Sequence, residues 1–258
     1  MAKWKLALEY QGTRYRGWQE QANARTVQGE LRKALESILG ERLEIVGAGR
    51  TDGGVHALNQ VVHVRSRNPR EPVNLLNQIN DRLPSDISLR SIVRVDPKFH
   101  ARHDAIERFY LYQISARRRA FTKPFVWWIK DSLDVLAMQN AVRTLPGRHD
   151  FVAFCEKGSD SSSTLVEVTC AEVSSQGELI LFRIGASHYV WKMVRRIVGV
   201  LVEVGRGNLA PDNLDRFLAD KTGTLAQWTA PPSGLFLECV RYRGELPPGP
   251  LRPAFFFR

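Results

Sequence analysis

From Lys3 to Tyr10 apolar and polar side chains alternate, the two-residue period of a half-buried strand. The period then changes. After Thr26, a residue suited to capping a helix, Val27, Leu31, Ala34, Leu35 and Ile38 fall on one helical face. Short strands are predicted over Glu44–Ala48 and Val61–Arg65. A helix opens at Pro72 and runs through Leu75, Leu76 and Ile79, and Ile87–Val95 closes the first half as a strand. The second half repeats this order. A strand is predicted over Phe109–Ile114 and a helix over Leu133–Leu145, stopped by Pro146-Gly147. Strands over Val166–Val173 and Leu179–Ile184 flank a Gln176-Gly177 turn. A mostly apolar helix covers Val190–Val204 before Gly205, a further helix covers Pro211–Asp220, and the last strand covers Leu235–Tyr242.

Twice, then, the order is β-α-β-β-α-β, with one extra helix in the second round. This is the split βαβ of ferredoxin-like domains, so the expected class is α+β: two ferredoxin-like halves with antiparallel sheets flanked by helices. The halves divide at 1–106 and 107–258, and a cleft between two sheets is expected. No letter-level repeat accompanies the repeated order. Ser159–Ser163 reads as a flexible loop, and the Pro- and Phe-rich tail from Pro247 to Arg258 as a segment that packs back on the body.

Composition narrows the partner. The 37 Lys and Arg exceed the 27 Asp and Glu, giving a net charge of +10 over 258 residues. Such a surplus suits a polyanion, because neutralising phosphates releases counterions. It does not separate RNA from DNA, and it also serves solubility. Three cysteines without zinc-ligand spacing, and no long apolar run near Met1, point to a reduced, cytoplasmic protein outside the membrane and without a metal site.

Between two predicted strands lies Gly47-Ala48-Gly49-Arg50-Thr51-Asp52-Gly53-Gly54-Val55-His56-Ala57, with four glycines around an Arg, a carboxylate and a His. Loops on a rigid sheet are common homes for catalytic groups. Asp-Gly alone is mostly a turn signal, and an isolated His is more often packed than catalytic.

The stretch Gly49–Ala57 resembles the catalytic motif of the bacterial tRNA pseudouridine synthase A family. Three further blocks resemble family motifs in the same order: Tyr10–Gln19, Phe99–Arg102 with Arg108–Tyr112, and Met193–Gly199. The resemblance implies a cofactor-free isomerase acting on uridines thirty-eight to forty of the tRNA anticodon stem-loop, and a homodimer that does not act on DNA. It also implies roles: Asp52 as nucleophile, Tyr110 packing on the target base, Arg195 pairing with Asp52, and Arg50 holding the flipped nucleotide. The sequence departs from the family pattern at Gly53, where Ala is more usual, and at Trp191-Lys192 and His103-Asp104; the Ser161–Val166 stretch lacks an expected Arg.

The chemistry suits these residue types. Pseudouridine forms when the N1–C1′ bond breaks, the uracil turns over and C5 joins C1′. Nothing is oxidised, so one carboxylate serves as nucleophile and then as proton acceptor. Unstacking the uridine costs a few kcal/mol, and an aromatic face returns roughly 1–3 kcal/mol. Arg195 lies with Lys192, Arg196 and Gly199 at helical spacing on a buried-looking helix, where a charge needs a partner. The Arg65–Arg67 and Arg117–Arg119 clusters are candidate phosphate contacts.

Two rival readings share part of this pattern. A non-catalytic RNA-binding protein fits the charge and the fold class, but leaves the Arg-Thr-Asp loop unexplained. Glycosidic hydrolysis calls for a second carboxylate, for which Asp104 is the nearest candidate.

Overall fold

The computed structural model describes residues 2–67, 72–156, 158, 163–220 and 225–255. The chain divides into two compact units. One comprises Met1–Ile106 with Leu237–Pro247, the other Glu107–Phe236 with Pro248–Arg258. Each is a mixed α+β body with a mostly antiparallel sheet.

In the first unit the sheet is built from β1 (Ala2–Tyr10), β2 (Glu44–Gly47), β3 (His56–Ser66) and β4 (Ile87–Arg94). β1 lies between β4 and β3, antiparallel to both. β2 pairs antiparallel with the far end of β3, Ile45 opposite Val64. The late strand β10 (Leu235–Tyr242), most of which belongs to this unit, also neighbours β3. The alternation along β1 does its expected work: Trp4, Leu6, Leu8 and Tyr10 are all buried. Each such side chain contributes roughly 1.5–3 kcal/mol.

The two helices are α1 (Val27–Leu39) and α2 (Pro72–Asn80). Thr26 caps α1 as expected, its hydroxyl accepting from the Gly29 N–H at 3.3 Å. Gly40, at φ +68°, ends α1 in the left-handed region. The five apolar positions read as one face, Val27, Leu31, Ala34, Leu35 and Ile38, are all buried.

The second unit carries β5 (Ala105–Ser115), β6 (Trp127–Trp128), β7 (Gly147–Asp150), β8 (Leu165–Gln176) and β9 (Leu179–Ala186). β9 lies between β5 and β8, antiparallel to both, and β7 extends the order beyond β8. β6 pairs in parallel with the end of β5. Its helices are α3 (Val135–Ala141), α4 (Met193–Gly205) and α5 (Asn213–Ala219).

Four details differ from the sequence reading. The helix predicted over 133–145 is α3 followed by a 3-10 turn, Val142–Thr144. Pro146-Gly147 stops it as read, but Gly147 also begins β7, a strand too short and polar to carry a period. β6, of two residues, was likewise invisible to periodicity. The apolar run from Val190 does not start α4, because Lys192 takes φ +64° and the helix begins one residue later.

Part of the C-terminal segment packs back on the second unit as expected. Gln176 donates to the Leu251 carbonyl at 2.7 Å, and the Ala254 N–H donates to Gln113 Oε1 at 2.7 Å. Phe255 sits 5.0 Å from Phe125 and 6.0 Å from Phe236, ring centre to ring centre. The end of that tail, and most of the loop read over Ser159–Ser163, lie outside the described residues.

Candidate active site

Asp52 stands on the connection from β2 to β3, half-buried, with Arg50 exposed two residues before it. The loop is held by the segment that follows β1. The Trp18 N–H donates to the Thr51 carbonyl at 3.0 Å, and the Gly54 N–H donates to the Tyr15 carbonyl at 3.2 Å. Across Asp52 itself, the Val55 N–H donates to the Asp52 carbonyl at 3.1 Å, closing a tight turn. These bonds grip the backbone on both flanks of one residue.

Side chains complete the clasp. Tyr10 Oη and Thr51 Oγ1 share a buried hydrogen bond of 2.8 Å. Burial pushes the Tyr10 phenol up to about 12, against the hydrogen bonds from Thr51 and Gln60 that lower it. It is therefore a neutral hydroxyl at pH 7. Tyr10 stacks on Trp18 at 6.2 Å and 28°. The Gln60 amide donates to the Gly49 carbonyl at 3.0 Å. Tyr15 donates to the Asp86 carboxylate, and Asp86 also accepts the Gln11 N–H through its own carbonyl at 2.9 Å.

Glycine makes this closeness possible at two positions of the clasping segment. A Cβ on Gly12 would fall 1.9 Å from the Val55 carbonyl oxygen. Gly17, at φ +100°, would place one 2.6 Å from the Thr51 carbonyl. Of the four glycines singled out inside the loop, Gly54 alone takes a positive φ, +81°. Gly47 serves a different need: a Cβ there would strike the Trp18 ring at 2.8 Å. At Gly53 the nearest atom would be 3.5 Å away, so the departure from Ala there leaves the turn unchanged.

His56 is a packing residue. It is buried, and its Nδ1 accepts the Gly12 N–H at 3.0 Å. That bond is one more stitch between clasp and loop. Asp104 is likewise engaged in a turn, accepting the His100 N–H at 2.8 Å.

In the second unit, Tyr110 lies on β5, 8% exposed, edge-on to Tyr189 at 4.8 Å and 82°. Tyr189 Oη is within 3.0 Å of the Arg108 carbonyl and 2.8 Å of the Ile184 carbonyl, which fixes its ring against Tyr110. Tyr112, two residues on, donates to the Pro231 carbonyl at 2.8 Å. Burial raises the Tyr112 phenol well above its usual value, opposed by the charge of Arg195.

Arg195 is in the first turn of α4 and only partly buried. Its Nε donates to the Ala230 carbonyl at 2.7 Å, and its own carbonyl accepts the Ala230 N–H at 3.0 Å. The basic residues read at helical spacing here do not share one environment. Arg196 is 1% exposed and pairs with Glu156, because its position points into the body rather than along the exposed edge. Lys192 precedes the helix. Of the two basic clusters, Arg117 and Arg119 share Glu178 at 3.0 and 2.7 Å, and those hydrogen bonds hold its carboxyl down at about 2. Arg118 lies over the Trp128 ring at 5.5 Å, and Arg65 and Arg67 are exposed.

Sequence reasoning found the loop but not the role of its clasp. The Tyr10–Gln19 block was set beside the loop only as a family motif, with no sign of the Tyr10–Thr51 bond, and Asp86, which holds Tyr15, carried no local sign at all. Among the described residues, no group of three or more His, Cys, Asp or Glu could hold a metal ion, and no helix is long and apolar enough to cross a membrane.

Comparison with known proteins addresses the whole chain. The family described as tRNA pseudouridine synthase matches residues 6–104 and 141–243, segments that include Asp52 and Arg195; Tyr110 lies between them. Among curated relatives, tRNA pseudouridine synthase A of Moorella thermoacetica is 42% identical over 92% of this chain and 98% of its own length. The Nitrosomonas europaea protein of that name is 40% identical, over 94% of this chain and 90% of its own. That of Pseudothermotoga lettingae is 37% identical, over 94% and 100%. With a clasped Asp loop on one unit and likeness running over nearly the full length of such relatives, the chain belongs to the tRNA pseudouridine synthase family of isomerases.

Proposed function

We propose that this chain converts uridine to pseudouridine at positions thirty-eight to forty in the tRNA anticodon stem-loop, with Asp52 as the nucleophile and the target base flipped from its stack. The observation that carries the reading is the held turn at Asp52: one half-buried carboxylate, gripped on both sides by backbone hydrogen bonds from Trp18 and Gly54. A fixed carboxylate loses little freedom on meeting its target, and near-attack geometry of this kind supplies much of an enzyme's acceleration.

The division of labour follows. The unit bearing the loop supplies Asp52, with Arg50 beside it to hold the displaced nucleotide. The other supplies Tyr110 as a face for the uracil and Arg195 as the partner of the Asp52 carboxylate. The order β4-β1-β3, with β2 pairing on β3, supports a ferredoxin-like reading of the first half, and the same reading divides the chain at 1–106 and 107–258. The enzyme needs no cofactor. Attack by the carboxylate frees the uracil N1 from C1′, C5 takes its place, and the C5 proton is lost as N1 gains one, so atoms and electrons balance. The working form is a cytoplasmic homodimer.

The test is isomerisation itself. Unmodified tRNA incubated with the protein is expected to acquire a carbodiimide-dependent primer-extension stop at these positions. The Asp52→Asn variant should bind the same tRNA and leave it unmodified. Release of free uracil, or full turnover by Asp52→Asn, would overturn the proposal.

A further inference from the structure

Apart from the Asp52 loop, the most tightly determined polar cluster among the described residues surrounds the entry to α4. Lys192 is the only non-glycine described residue in the left-handed region, at φ +64°. Such a conformation persists only where its surroundings hold it, and it concentrates at functional sites. Here the holder is Glu156. The Glu156 N–H donates to the Trp191 carbonyl at 3.0 Å, and the Glu156 carboxylate meets Lys192 Nζ at 3.1 Å. The same carboxylate pairs with Arg196, whose guanidinium also donates to the Cys155 carbonyl. Arg196 is 1% exposed. The three residues between the two cations of this cluster, on the first turn they brace, are Met193, Val194 and Arg195.

The chemistry is that of a fixed pivot. A buried guanidinium with its carboxylate cannot shift without exposing an unpaired charge to the interior. Glu156 therefore binds the residue before the helix and a residue in its first turn to one point. Arg195 leaves that turn toward the Ala230 carbonyl and Tyr112, with its stem direction set by the backbone the cluster holds.

We infer that Glu156 is a positioning residue for the isomerisation: through Lys192 and Arg196 it fixes the left-handed turn that aims Arg195. The inference rests on the role given to Arg195 above. Glu156 touches no reacting atom, and its contribution is to the chemical step rather than to tRNA affinity.

The measurement is a kcat and KM comparison on unmodified tRNA made by transcription, with melting temperature recorded for each variant. Glu156→Gln is expected to lower kcat about tenfold and leave KM within twofold. If it melts early, Glu156→Gln combined with Arg196→Met removes the buried charge together with its partner, and the same fall in kcat is expected from a folded protein. Glu156→Gln added to Arg195→Ala should cost nothing further, since both act through one guanidinium. Unchanged kcat in the folded variants, a rise in KM alone, or an additive loss in the double variant would each overturn the inference. The arms separate two failures. Full turnover by Arg195→Ala removes the role of Arg195 and the inference with it. A slow Arg195→Ala beside a fast Glu156→Gln removes the inference alone.

Discussion

The Asp52 turn and the entry to α4 are both held rigid, but by opposite means. The Asp52 turn is held directly by backbone hydrogen bonds, a Tyr–Thr pair, a stacked Trp and a His that accepts, with the Asp86 carboxylate reaching the clasp only through the Tyr15 hydroxyl. The α4 entry is clasped by charge, with two cations on one carboxylate and one of them buried. An ionic clasp can hold a strained backbone, because separating its members exposes a buried charge. The difference teaches that in this chain backbone bonds and uncharged contacts hold the turn at Asp52, while ion pairs hold the turn that carries Arg195.

Four outcomes would break or sharpen this contrast. The largest effect belongs to the presented carboxylate. Asp52→Ala is expected to lower kcat by at least about 10³-fold, the scale of losing a reacting group, with tRNA affinity in a filter-binding assay changed less than about threefold. A comparable loss of affinity would mean that Asp52 is part of the binding surface instead.

Next comes the clasp's backbone. Gly12→Ala would put a Cβ 1.9 Å from the Val55 carbonyl, and the shift needed to relieve it should cost about 1–3 kcal/mol in urea unfolding. Activity should fall more than stability explains, since Val55 closes the Asp52 turn. An unchanged unfolding midpoint would show that the clasp yields.

The two units that carry these regions should also differ in how they meet acid. His63 is buried on β3 and held down at about 4, first by burial and then by Lys3, His100 and Arg65, against Asp104. Its Nδ1 accepts the Ala101 N–H at 3.1 Å, a bond that protonation there would abolish. The unfolded chain therefore binds this proton more readily, and stability is lost as pH falls from about 6.5 toward about 4. A loss of about 1–3 kcal/mol is expected over that window, and His63→Gln should flatten it. Glu156 behaves in the other window. The hydrogen bond from Lys192, opposed by burial and aided by Arg196, Lys192 and Arg195, holds its carboxyl below the usual value. Its contribution is present above about 4.5 and is lost only as pH falls through the lowered value. Urea midpoints for wild type, His63→Gln and Glu156→Gln between pH 7 and pH 4 would show whether the windows separate.

The smallest effect is expected at Tyr10. Tyr10→Phe removes the bond to Thr51 and keeps the stack on Trp18, for a cost of about 0.5–1.5 kcal/mol and a few-fold loss of kcat. A loss as large as that at Gly12 would mean that the hydroxyl, not the backbone, holds the turn.

The sequence by itself determined the elements whose period is long and clean. β1 and α1 were legible residue by residue, down to the Thr26 cap, because burial on one face imposes a two- or 3.6-residue rhythm on the side chains. It also marked the Asp52 loop as the place to look, through the resemblance of Gly49–Ala57 to a family motif, since Asp-Gly alone is mostly a turn signal. Tertiary structure decided the rest. β6 and β7 are too short to have a period, and the apolar run into α4 concealed the turn at Lys192. Only the closed fold brought Tyr10 to Thr51 and Asp86 to Tyr15, and only packing turned Arg196 from a surface cation into a buried anchor for Glu156. The reason is common to all of these. Periodicity records which side a residue buries, whereas a partner forty residues away leaves no trace in either segment until the fold closes the distance.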